Sequence, residues 1–185
     1  MAEETRLYAC RVPAGERQAA WRLLERALRE TCGLTALPPV ERGERGKPFF
    51  PDLPGMHFSL SHSGSFCLCA LSPSPVGADI EAVRPRGEVL LRRGLTEAER
   101  VWCLAAGDPW PRFCLLWTRR ESRCKWSGRG LTLPVRDIAV PLPPAEELDG
   151  LRFRSYAGAG WAASLCGTVP PPQAVRWVEL VPPNR

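Results

Sequence analysis

Two histidines and the lack of any Cys-x-x-Cys pair leave little to build a zinc site in this 185-residue chain, despite its eight cysteines. No apolar run is long enough to cross a membrane. The sequence opens Met-Ala-Glu-Glu without an apolar h-region, so the expectation is a cytoplasmic protein with no signal peptide. In that setting Cys67, Cys69, Cys103, Cys114 and Cys124, set inside apolar patterns, read as reduced and mostly buried thiols. Basic residues form no long run, and no basic stripe interleaved with aromatics is present. That argues against nucleic-acid binding.

What is present is a folded chain, with 44% hydrophobic residues and seven tryptophans. Its length allows one good core or two small lobes. The net charge of +5, carried mostly by arginine, points to an anionic partner such as a phosphate group or an acidic protein surface.

Leu7–Val12 reads as an opening strand ended by Pro13. A helix is predicted from about Ala14 to Thr31, with Ala20, Leu23, Leu24, Ala27 and Leu28 on one face and Gly33 as its C-terminal cap. Proline-rich residues 48–54 exclude a helix and hold Lys47 on a stiff extended loop. His57–His62 and Phe66–Leu71 form a predicted hairpin around Ser63-Gly64-Ser65, with His62 at its tip. Thr96 and Glu99 make a capping box for a helix whose apolar face is Ala98, Val101, Trp102 and Ala105. Asp108-Pro109 launches the helix Phe113–Lys125. Leu151–Tyr156 and Trp161–Cys166 read as a second hairpin. The two halves share a plan of strand, helix and hairpin, giving an α+β architecture of two lobes, residues 1–74 and 75–185.

Between the halves, Val76-Gly77-Ala78-Asp79-Ile80-Glu81 reads as a short strand. Alternation puts Asp79 and Glu81 on one face and Ala78 and Ile80 on the other. Two adjacent carboxylates repel unless a proton or cation lies between them, and magnesium commonly takes only one or two protein carboxylates. Taken alone, the pair is better explained by a solvated strand end. A third acid is available on the later helix, where Trp117, Glu121 and Lys125 share one face. Alone, Glu121 and Lys125 are an ordinary i,i+4 ion pair contributing about 0.2–0.5 kcal/mol. Trp117 on the same stripe argues instead for a face that packs inward or lines a cleft.

Gly46-Lys47-Pro48, Phe58-Ser59-Leu60-Ser61-His62-Ser63, Gly77-Ala78-Asp79-Ile80-Glu81, Trp117-Thr118-Arg119-Arg120-Glu121-Ser122 with Lys125, and Gly128-Arg129-Gly130-Leu131 occur in this order. In order and spacing the chain resembles the surfactin-type 4′-phosphopantetheinyl transferases, from about Ala14 to the final hairpin. The resemblance implies a pseudo-dimer of two similar α+β lobes with coenzyme A in the cleft between them. It also implies transfer of the phosphopantetheine arm to a serine of an acyl or peptidyl carrier protein, the reaction of a holo-[acyl-carrier-protein] synthase, with release of adenosine 3′,5′-bisphosphate.

By the same resemblance, Asp79, Glu81 and Glu121 correspond to Mg²⁺ ligands, Glu121 also to the general base, and Lys125 to the residue that stabilises pyrophosphate charge. His62 corresponds to a contact of the 3′-phosphate, Lys47 and Ser61 to the nucleotide end, and Arg17 to an arginine near the nucleotide. The expected partners are coenzyme A and a carrier protein, with no nucleic acid and no membrane, and the expected state is a monomer. Two departures stand out. The basic helical segment that larger members carry before the first long helix is expected to have no counterpart here, and the family's lysine before the helix glutamate is Arg120. The competing expectation is a non-catalytic coenzyme A or nucleotide binder that kept the lobes and lost turnover.

Overall fold

The computed structural model describes residues 4–16, 18–130 and 134–180. In chain order the elements are β1 (Arg6–Arg11), α1 (Ala19–Cys32), β2 (Glu41–Arg42), β3 (Pro48–Phe49), β4 (His57–Ser63), β5 (Phe66–Ser72) and β6 (Val76–Ala82). They continue with α2 (Val89–Arg93), α3 (Glu97–Leu104), α4 (Trp110–Ser127), β7 (Glu147–Leu148), β8 (Leu151–Gly158), β9 (Trp161–Gly167) and β10 (Arg176–Trp177). The class is α+β. Two four-stranded sheets carry it, ordered β10-β1-β5-β4 and β6-β9-β8-β7, with β2 and β3 pairing only with each other. β10 runs parallel to β1, so the end of the chain returns to the first sheet.

Strand alternation explains the layering. Tyr8, Cys10, Cys67, Cys69 and Leu71 face α1, whose Ala20, Leu23, Leu24, Ala27 and Leu28 form the buried stripe expected of it. Leu7, Ala9, Leu68 and Ala70, on the opposite face of the same strands, pack on Val76, Ala78, Ile80, Ala163 and Leu165 of the second sheet. All eight cysteines are free thiols, and only Cys32 among them is not fully buried.

Local signals set most boundaries. α1 starts at Ala19 rather than Ala14 because Gly15 holds a left-handed φ of 90°, which no helix accommodates. It ends on Gly33 at φ 69°, whose N–H bonds the Arg29 carbonyl. The capping box of Thr96 and Glu99 is formed. The apolar face expected of α3 is not the buried one: Val101 is 58% exposed, while Glu99 and Cys103 face inward. The cause is Arg120 of α4, which draws Glu99 into a two-pronged ion pair at 2.6 and 2.7 Å. α4 begins at Trp110, three residues before the predicted start: Asp108 accepts a hydrogen bond from the Trp110 N–H, Pro109 takes the N-cap position, and Pro111 suits the first turn.

Candidate functional site

The site forms where the edge strands of the two sheets meet. β4 and β6 share no backbone ladder with one another. Instead Ser59, Ser61 and Ser63 project from one face of β4 and take up the free edge of β6. The N–H groups of Ala78, Ile80 and Ala82 donate to the hydroxyls of Ser59, Ser61 and Ser63 at 2.9, 3.4 and 3.1 Å. Each step advances two residues on both strands, so a ladder of serine hydroxyls satisfies an edge that would otherwise be exposed or orphaned.

The same hydroxyls fix the two acids. Ser61 donates to Asp79 Oδ1 at 2.6 Å and Ser63 donates to Glu81 Oε2 at 2.9 Å. A cation joins each pair: Lys125 Nζ reaches Asp79 Oδ1 at 2.7 Å, and Arg86 Nη2 reaches Glu81 Oε2 at 2.6 Å. Each carboxylate is thus held through one oxygen by one hydroxyl and one cation. Asp79 is 5% exposed, and its Oδ2 is buried with no hydrogen-bond partner. The i,i+4 pair considered for Glu121 and Lys125 is not how the lysine is used, since its ammonium goes to Asp79.

α4 delivers the third acid by an unusually close approach. A Cβ placed on Gly77 would lie 1.9 Å from the Ser122 carbonyl oxygen and 2.4 Å from the Trp126 nitrogen. Only glycine lets the helix backbone lie this close to β6, and it brings Glu121 within electrostatic reach of Asp79 and Glu81. Burial raises the Glu121 carboxyl above the usual carboxylate range, and the charge of Asp79 raises it further. Lys125 lowers it in part, and Glu81 adds a smaller upward push.

Asp79, Glu81, Glu121, Trp117, His62 and Lys125 line one cavity of about 310 Å³. Glu121, His62 and Lys125 also line an adjoining cavity of about 540 Å³, whose walls carry Trp21, Arg42, Arg45 and Lys47. One end of the combined space is therefore acidic and the other basic, with an aromatic ring on the wall. Among the described residues no three His, Cys, Asp or Glu side chains are grouped as a ready-made metal site, and Lys125 and Arg86 hold the first two acids.

The remaining residues singled out in the sequence divide. His62 is exposed at the junction of both cavities. Lys47 lines the larger cavity, but its ammonium is spent on the Val76 and Trp126 carbonyls at 3.1 and 3.0 Å, tying the loop to β6 and to the end of α4. Burial lowers its pKa to about 8. Ser61 lines both cavities with its hydroxyl turned to Asp79. Arg17 and Leu131 lie outside the described residues.

Sequence reasoning missed Arg86, Ser63, Gly77 and the wall residues Trp21, Arg42 and Arg45. A signal existed for two of them. Serine at every second position of β4 is visible in the sequence, and glycine inside a strand marks a close backbone approach. Arg86 carries no such mark. Lys47 and Lys125 are the chain's only lysines against a background of arginine, and both line this space.

Comparison with known proteins identifies the family. The 4′-phosphopantetheinyl transferase superfamily model matches residues 75–166. The chain is 39% identical over 101 residues to 4′-phosphopantetheinyl transferase Sfp of Bacillus subtilis, covering 54% of this chain and 45% of that protein. It is 35% identical over 143 residues to 4′-phosphopantetheinyl transferase AcpT of Salmonella typhi, covering 72% of this chain and 70% of that one. With AcpT of Escherichia coli the identity is 36% over 122 residues, covering 63% and 61%. The chain spans about half the length of the Bacillus relatives it matches. Asp79, Glu81, Glu121 and Lys125 all fall inside the matched segment, and the chain belongs to the 4′-phosphopantetheinyl transferase superfamily.

Proposed function

We propose that the chain transfers the 4′-phosphopantetheine group of coenzyme A to a serine hydroxyl of an acyl or peptidyl carrier protein, with Mg²⁺ as cofactor. One observation carries the reading: three carboxylates on two elements and Lys125 line one small cavity that opens into a basic, Trp21-walled one. Residues 1–74 and 75–185 are read as two lobes cored by the two sheets, forming a pseudo-dimer with the ligand between them, except that β10 crosses back to pair with β1 of the first sheet.

The donor set fits a hard divalent cation. It is all oxygen, it includes the buried and partnerless Asp79 Oδ2, and Asp79 and Glu81 both raise the proton affinity of Glu121. Asp79, Glu81 and Glu121 would hold the ion, which supplies charge neutralisation and polarisation at the coenzyme A pyrophosphate. The chain's own residues do the rest. Glu121 takes the proton of the carrier serine, directly or through a water, as its oxygen forms the new bond to phosphorus. The bond from that phosphorus to adenosine 3′,5′-bisphosphate breaks, and Lys125 stabilises the charge developing on the leaving group. Arg42 and Arg45 on the larger cavity give the nucleotide end its positive lining, His62 would contact the 3′-phosphate, and Arg17 is assigned to the same end, where Lys47 anchors its loop through the Val76 and Trp126 carbonyls. Ser61 acts from the acidic side, through Asp79.

Eight free thiols, mostly buried, suit a reducing cytoplasmic setting, and no described helix is long and apolar enough to span a membrane. The chain is taken to work as a monomer, without nucleic acid. The test is incubation with coenzyme A, Mg²⁺ and several apo-carrier proteins, read by mass spectrometry. A serine on at least one carrier should gain the phosphopantetheine mass. Bound coenzyme A with no carrier modified would instead identify a non-catalytic binder.

A further inference from the structure

We propose that Arg86 is a counter-ion of the ligand-free site that competes with the divalent cation for Glu81, making tight metal binding depend on coenzyme A. The inference rests on the metal reading of Asp79, Glu81 and Glu121 and adds to it a residue outside the family motifs quoted above and a coupling between the metal and coenzyme A.

Three observations lead there. First, Arg86 is attached to Glu81 by one short contact, Nη2 to Oε2 at 2.6 Å, while its Nε is buried with no hydrogen-bond partner. Its guanidinium lies 5.8 Å from the centre of the Phe113 ring, a weak hold compared with a second carboxylate. The contrast with Arg120 is sharp: that guanidinium takes both oxygens of Glu99 and the Ile138 carbonyl. Arg86 has donors to spare and Arg120 has its place filled.

Second, the charges near the acids nearly balance. Three carboxylates face two cations, Lys125 and Arg86, so the ligand-free cluster offers a divalent ion only a small net negative charge. A cation that seats itself on Glu81 must displace Arg86 or share the carboxylate with it, and either outcome weakens binding of the ion alone.

Third, the group that would release Arg86 is an anion. A pyrophosphate entering the cavity offers the guanidinium the planar, two-pronged oxygen pair it lacks on Glu81. Metal and pyrophosphate then favour each other, and linkage requires the effect to be mutual: coenzyme A tightens the metal as much as the metal tightens coenzyme A.

The test is Mn²⁺ binding measured by electron paramagnetic resonance, with and without coenzyme A, in the wild type, Arg86→Gln and Arg86→Lys. The wild type is expected to bind Mn²⁺ weakly alone and at least about tenfold more tightly with coenzyme A present, a coupling of ordinary allosteric size. Arg86→Gln should bind Mn²⁺ alone about tenfold more tightly than the wild type and lose most of the coupling. Arg86→Lys keeps the charge, so it should stay close to the wild type for Mn²⁺ alone, but it should lose part of the coupling because an ammonium cannot take the pyrophosphate oxygens two-pronged. An unchanged or weaker affinity for Mn²⁺ alone in Arg86→Gln would overturn the inference and make Arg86 a positioning residue for Glu81 or a bystander. Mn²⁺ binding that survives Asp79→Asn with coenzyme A present would overturn the metal reading itself, and the inference with it.

Discussion

Helix α4 carries five charges between residues 119 and 125, and two pairs of them are treated in opposite ways. Arg119 and Arg120 are almost wholly buried, and each is matched by partners: Arg119 donates to Ser155 and to the Pro141 and Ala145 carbonyls, Arg120 to Glu99 and the Ile138 carbonyl. Burial lowers the Arg119 pKa to about 10, which still leaves it charged at neutral pH. Glu121 and Lys125 are only half-buried and face a cavity beside two further acids. The lesson is that burial of charge does not mark the site. The completed arginines hold α4 to its surroundings, and the incompletely matched acid and lysine remain available to a ligand.

That contrast can be broken first on its structural side. Arg120→Met should destabilise the fold by about 3–5 kcal/mol, since it leaves the Glu99 carboxylate buried without its partner. The double variant with Glu99→Leu should recover most of the loss, because removing both charges removes the desolvation cost as well. Urea midpoints of the two single variants and the double variant decide this. A double variant no more stable than Arg120→Met would show that the pair contributes through packing and not through charge.

A somewhat smaller loss is expected at the contact that joins the two sides. Gly77→Ala should cost about 3 kcal/mol, the upper end of ordinary overpacking, because the new Cβ meets helix backbone and not a movable side chain. Transfer activity should fall with it, as Glu121 rides on the displaced helix. Thermal melts and the carrier assay run together would check both parts, and a stable but inactive variant would isolate the geometric effect.

The smallest effect lies in the titration of Glu121. Its pKa is raised in the folded protein, so between its ordinary value of 4.5 and the raised value the folded state binds more protons than the unfolded one. Stability from this group is therefore present below 4.5 and lost as pH rises through the folded pKa. Glu121→Gln has nothing to lose there. Its stability relative to the wild type should rise across that window and level off above it, and a gap that stays constant with pH would contradict the raised pKa.

Much of this arrangement is readable in the chain, and the reason is local chemistry. Alternation in β6 puts Asp79 and Glu81 on one side and Ala78 and Ile80 on the other, as the two faces of the strand are used. The capping box, Gly33 and Asp108-Pro109 report boundaries because their signals are satisfied within a few residues. Contacts distant in sequence are what the reading could not supply. Glu99 sits where a helical period calls for an apolar residue, and only Arg120, 21 positions later, explains it. The late start of α1 is a single backbone angle at Gly15. Lys47 was legible as a stiffly held cation, yet its two carbonyl partners come from β6 and the end of α4. Arg86 carries no local signal, since its pairing with Glu81 depends on the path of the connection after β6.

The central claim is that the incompletely matched face of α4 does the chemistry, and one comparison tests it most directly. Single-turnover transfer to an apo-carrier should fall by about a hundredfold to ten-thousandfold in Glu121→Gln, the range for loss of a general base, while coenzyme A affinity changes far less. Transfer and affinity lost to the same extent would contradict the account and leave Glu121 a ligand or packing residue rather than a base.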